Sequence, residues 1–131
     1  MTIHTDNMST VAAWGEALEP RWYRVRVSKV SEETSDTGNP TVKLQLKVQD
    51  EGPNLGRVIV DFPSLQPHAL AKLKAYYDAV GYKPGPEGHD PERLLDGELY
   101  VKTDTEVYQG TTRNKVAPYN IRSIQQGPGQ V

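Results

Sequence analysis

Apolar and polar residues alternate over residues 22–30, with Tyr23, Val25 and Val27 on one face and Trp22, Arg24, Arg26 and Ser28 on the other, the period of a half-buried strand. After a polar, acidic connection over residues 31–40, the alternation returns more cleanly. Val42, Leu44, Leu46 and Val48 interleave with Thr41, Lys43, Gln45, Lys47 and Gln49, which predicts a second strand. Residues 50–56, rich in Gly, Pro and Asn, read as a hairpin-type turn into a third strand over residues 57–62. The period then lengthens. Leu65, Ala69, Leu70, Leu73, Tyr76, Tyr77 and Val80 recur at helical spacing, which predicts one amphipathic helix over residues 65–80 with Ser64 as N-cap and Gly81 at its stop.

Beyond a Pro- and Gly-rich loop, Asp90-Pro91-Glu92 has the order of a short helix start, and that turn should end near Asp96-Gly97. Residues 98–108 predict a fourth strand, residues 109–112 a turn, and residues 113–124 a fifth strand. Pro118 lies inside the fifth strand, so this strand should sit at an edge or carry a bulge. The expected organisation is an arm over residues 1–20, one folded domain over 21–124 and a loose tail over 125–131.

A meander of three strands, a helix and a two-stranded return leaves edges and one apolar face uncovered in an open sheet. Closure into a partly open barrel, with the helix plugging its end between strands three and four, removes both problems. The expected fold is therefore mainly β, a five-stranded OB-type barrel with one helix between strands 3 and 4. Its structural rival is an open α+β sheet with the helix packed on one face.

At 131 residues the chain has room for one domain with its own core. It has no cysteine, which removes disulfides, thiolate metal sites and a cysteine nucleophile, and is compatible with a reducing, cytoplasmic setting. No apolar run approaches membrane-spanning length. A formal net charge of -2 argues against a strongly basic nucleic-acid binder, unless charge is segregated. Here it is: Arg24, Arg26, Lys29, Lys43, Lys47, Arg57, Lys102, Arg113, Lys115 and Arg122 lie in strand-like runs, whereas most acids lie in loops. A basic sheet face inside a weakly acidic molecule is the picture that follows, with ordinary solvated strands as its bland counterpart.

The runs Tyr23-Arg24-Val25-Arg26-Val27, Gly38-Asn39-Pro40 before Val42-Lys43-Leu44-Gln45-Leu46, and Gly56-Arg57-Val58-Ile59-Val60 resemble the front half of phage and prophage single-stranded-DNA-binding proteins. Leu95-Asp96-Gly97-Glu98-Leu99-Tyr100-Val101, Tyr108-Gln109-Gly110, Arg113-Asn114-Lys115-Val116 and Tyr119 resemble the back half, so the likeness spans residues 23–124. The resemblance implies an OB fold, sequence-tolerant binding of single-stranded DNA in replication or recombination, no catalytic activity and no cofactor. The chain lacks the acidic tail of the bacterial housekeeping members, which leaves recruitment of replication or recombination proteins through such a tail without support.

Single strands are held by cations that track phosphates and by aromatic faces on which bases stack. The outward positions of the first two strands supply Trp22, Arg24, Arg26, Lys43, Gln45 and Lys47. Tyr100, Lys102 and Tyr108 on the fourth strand, with Arg113, Lys115 and Tyr119 on the fifth, extend the candidate groove. Arg113-Asn114-Lys115 is the strongest electrostatic candidate. Each has a duller counterpart: Trp22 can cover the barrel end, a charged hairpin tip can serve solubility, and Tyr76 and Tyr77 fit the core better than a ligand.

His4, His68 and His89 show no metal-ligand spacing, and no P-loop, dinucleotide fingerprint or nucleophile elbow is present. A magnesium nuclease built on Asp61, Asp104 and Glu106 is the enzymatic alternative. A module that docks a replication or recombination protein without touching DNA is the non-enzymatic one. An exposed fifth strand would offer an edge for a homodimer.

Overall fold

The computed structural model describes residues 17–128, and these form a mainly β structure around one five-stranded antiparallel sheet ordered β3-β2-β1-β4-β5. The strands are β1 (Trp22–Thr34), β2 (Pro40–Val48), β3 (Val58–Asp61), β4 (Glu98–Tyr108) and β5 (Thr111–Ser123). Among the described residues one α-helix, α1 (Ala71–Val80), lies between β3 and β4 and packs chiefly on β5. No described helix is long and apolar enough to cross a membrane.

The alternation read along the chain is the alternation of burial. Tyr23, Val25 and Val27 of β1, Val42, Leu44, Leu46 and Val48 of β2, and Leu99 and Val101 of β4 are all buried, and with Ile59, Leu73, Tyr76 and Leu94 they make one core. Burying each such side chain contributes about 1.5–3 kcal/mol, so this face fixes the register. A bulge at Ser28, between the pairs Val27↔Leu46 and Lys29↔Gln45, resets the parity of β1 so that Val30 turns inward opposite Leu44.

The helix is shorter than the apolar spacing predicts. Pro67 lacks an N–H and disfavours helical backbone in the residue before it, so a 3-10 turn (Pro67–Ala69) precedes the α-helix. Ser64 Oγ accepts from Gln66 N at 3.0 Å and serves that turn instead of capping α1. The other end is as expected. Gly81 adopts φ 82°, Gly81 N donates to Asp78 O and Tyr82 N to Tyr77 O, the paired bonds of a Schellman stop. The hydrophobic contact that goes with it is the edge-on packing of Tyr82 on Tyr77, with ring centroids 4.9 Å apart. Asp90 caps the 3-10 turn Pro91–Leu94 by accepting from Glu92 N.

Between β4 and β5, Gln109 (φ 51°) and Gly110 (φ 79°) form a two-residue turn of the I′ kind, and pairing starts at once with Tyr108↔Thr111. The strand is thus longer at its start than expected. Pro118 does mark a bulge: between the pairs Val101↔Ile121 and Thr103↔Val116, Lys102 alone faces residues 117–120. β5 is also an edge of the sheet. No β3–β5 ladder closes the sheet among the described residues, although the two edges approach until Cα atoms fall within 8 Å.

Residues 1–16 of the expected arm and 129–131 of the expected tail lie outside the described residues. The described part of the arm is docked. Leu18 is buried, its N donates to Asn114 Oδ1 at 2.8 Å, and its carbonyl accepts from Asn114 Nδ2 at 2.9 Å. In the tail, Gly127 O accepts from Arg122 Nε at 2.9 Å.

Candidate nucleic-acid interface

The face of the sheet opposite the core gathers most of the residues expected to bind. Trp22 pairs with Lys102, Arg24 with Tyr100, and Arg26 with Lys47, and all six alternate with buried neighbours. Directly paired side chains on one face have Cβ atoms about 4.5–5.5 Å apart, so cations and rings interleave there. Lys43 lies on this face two residues from Gln45, which pairs with Val60 of β3. Arg26, Lys43, Lys47 and Lys102 form no ion pair among the described residues. Trp22 is half-buried, and its Nε1 is shielded without a hydrogen-bond partner among the described residues.

Arg24 differs. Its Nη2 lies 2.9 Å from Glu98 Oε1, with Nε donating to the same oxygen at 3.2 Å. The Glu98 bond raises the pKa of this guanidinium further, and Asp50 Oδ2 accepts from the Arg24 backbone N at 2.9 Å. One cation of the face is therefore neutralised in place.

Arg113, Lys115 and Tyr119 stand apart from that group. They line a cleft of about 400 Å³ between β5 and β3, whose other wall carries Val60, Asp61 and Phe62. Arg113 Nε donates to Glu106 Oε2 at 2.7 Å, Lys115 is exposed, and Tyr119 is 83% exposed at the bulge. The single trough expected from the sequence is thus a sheet face plus a separate cleft at the sheet's free edges. The side chain of Tyr108 lies outside the described residues.

Phe62 was missed by the sequence reading. β3 (Val58–Asp61) exits through Phe62, and the parity that buries Ile59 also buries Asp61 (6% exposed) while Phe62, the next residue, turns outward (46% exposed). Burying a carboxylate beside an exposed ring inverts the usual order and requires partners. Asp61 has them: Tyr76 Oη donates to Oδ2 at 2.6 Å, Lys72 Nζ to Oδ1 at 3.0 Å, and Phe62 N to Oδ1 at 2.9 Å. The signal was available in the strand's own alternation.

Asp61 is thereby committed to the fold, and with Asp104 and Glu106 it forms no group able to hold a metal ion among the described residues. His89 lies in a loop, its Nδ1 2.7 Å from Tyr77 Oη. Tyr76 and Tyr77 are both core residues.

No protein-family model matches the chain, and no curated protein matches it significantly.

Proposed function

We propose that the protein is a sequence-tolerant binder of single-stranded DNA, acting in replication or recombination, and that its sheet is an OB-type barrel left open between β3 and β5. The observation that carries this reading is the shared outer face on which Arg26, Lys43, Lys47 and Lys102, none ion-paired among the described residues, alternate with Trp22 and Tyr100. Cations spaced among rings on a rigid sheet are what a flexible polyanion of stacked bases requires. The barrel reading draws support from the strand order β3-β2-β1-β4-β5 with a helix between β3 and β4, since joining β3 to β5 would complete the ring. Catalysis has no part in this reading. The chemistry is Coulombic attraction plus stacking.

Titration of a fluorescent single-stranded DNA oligonucleotide at several salt concentrations tests it. Binding whose affinity falls steeply with salt, and which Lys43→Glu with Lys47→Glu weakens along with the salt slope, is the expected result. Absence of binding at low salt would sink it. The weak net acidity and the carboxylates paired to Arg24 and Arg113 favour a second reading, a docking module for a replication or recombination protein, and that is the reading such a null result would leave.

A further inference from the structure

Between the free edges of β3 and β5, the cleft of about 400 Å³ has the size of pockets that enclose small ligands. Two aromatic rings border it from opposite sides, Phe62 just past the end of β3 and Tyr119 on β5. Both are exposed, at 46% and 83%, so neither ring's position is explained by core packing. Phe62 is nonetheless held: its backbone N is tied to the buried Asp61 carboxylate, which Lys72 and Tyr76 fix in turn. A polar group pulled inward and a ring pushed outward at one strand end is the kind of local inversion that a binding site explains better than stability does.

The cleft also holds one side-chain amide with no hydrogen-bond partner among the described residues, that of half-buried Asn120; the other amide, Asn114, is spent on Leu18. An amide offers donors and an acceptor side by side, the pattern that reads a base edge. Lys115, exposed on the same wall and in no ion pair among the described residues although Asp104 faces it across the β4–β5 ladder, is placed for a phosphate.

We infer that this cleft takes a single unstacked nucleobase of the bound strand between Phe62 and Tyr119, with Asn120 reading its edge and Lys115 neutralising the adjoining phosphate. The inference rests on the strand-binding reading above and adds one base-sensitive position to an otherwise sequence-tolerant contact. It follows that bases along the bound strand are not equivalent: those over the sheet face are interchangeable, and the one in the cleft is not.

An abasic residue walked along a fluorescent oligonucleotide of the minimal binding length tests this with the full chain. The expected result is one position at which loss of the base weakens binding roughly tenfold, with small effects elsewhere. Tyr119→Ala and Phe62→Ala should each flatten that position, and Asn120→Ala should erase the differences among the four bases there while leaving the salt slope unchanged. A uniform walk in the wild-type protein, with salt-dependent binding intact, overturns the cleft and leaves strand binding standing. Failure of the wild-type protein to bind any oligonucleotide overturns both. The walk itself needs no variant, so folding defects cannot obscure it.

Discussion

Tyr76 Oη donates a 2.6 Å hydrogen bond to Asp61 Oδ2 inside the core, joining the middle of α1 to the end of β3. The bond spans a fully buried ring and a carboxylate that is 6% exposed, and Lys72 one helical turn earlier supplies the compensating charge. A hydrogen bond to a charged acceptor contributes about 1.5–3 kcal/mol net, and its loss also leaves a buried oxygen unsatisfied. Tyr76→Phe should therefore lower the unfolding free energy by about 2 kcal/mol in urea titrations. A loss below a few tenths would show that the bond does not tie helix to strand.

The same tyrosine gives the protein an alkaline limit. Burial, then the neighbouring Asp61 charge, hold the Tyr76 phenol well above its ordinary 10.0, and burial lifts Tyr77 to about 12. A folded-state pKa above the unfolded value means the folded chain holds its proton longer. The Tyr77 contribution is complete below pH 10 and drains away as pH climbs from about 10 towards 12. Melting temperatures recorded from pH 8 upward should be level and then fall across that window, and Tyr77→Phe should make the fall shallower. An equally steep fall in that variant would place the alkaline sensitivity elsewhere.

On the proposed strand-binding reading, Glu98 holds back one cation of the sheet's outer face. Its carboxylate holds Arg24 at 2.9 Å on the face where Arg26 and Lys47 form no ion pair among the described residues. Each phosphate contact contributes about one unit to the salt dependence of strand binding. Glu98→Gln should free Arg24 for a phosphate, raising affinity at low salt and steepening the plot of log affinity against log salt by about one. An unchanged slope would mean that the strand does not cross β1 at Arg24.

Most of the fold was legible because it rests on periods. Val42, Leu44, Leu46 and Val48 are buried in the order their spacing predicts, and Gly81 ends the helix as expected. The helix start was misjudged because apolar spacing continues through Pro67, while the missing N–H acts on the backbone and leaves no mark in that spacing. The outward set on β1 and β2 followed from alternation alone. The pairing of Arg24 with Glu98 did not, since partners 74 positions apart meet only through the β1–β4 register. Nor did the division into face and cleft, which depends on how far the sheet curls before its edges meet.

Gly97 provides a test of how tightly the helix seats on the sheet. A Cβ placed there would stand 2.6 Å from Val80 Cγ1 and 3.1 Å from Leu94 O, so even alanine overfills the junction between the end of α1 and the start of β4. Gly97 also accepts from Val27 N at 2.9 Å, so the strand cannot retreat without losing a bond to β1. Overpacking of this kind costs about 1–3 kcal/mol, which Gly97→Ala should show as a lowered melting temperature. Val80→Ala removes Cγ1 but not the carbonyl contact, so in the double variant part of the loss should return and the two changes should be non-additive. Strict additivity in that double-mutant cycle would mean that Val80 and Gly97 do not press on one another.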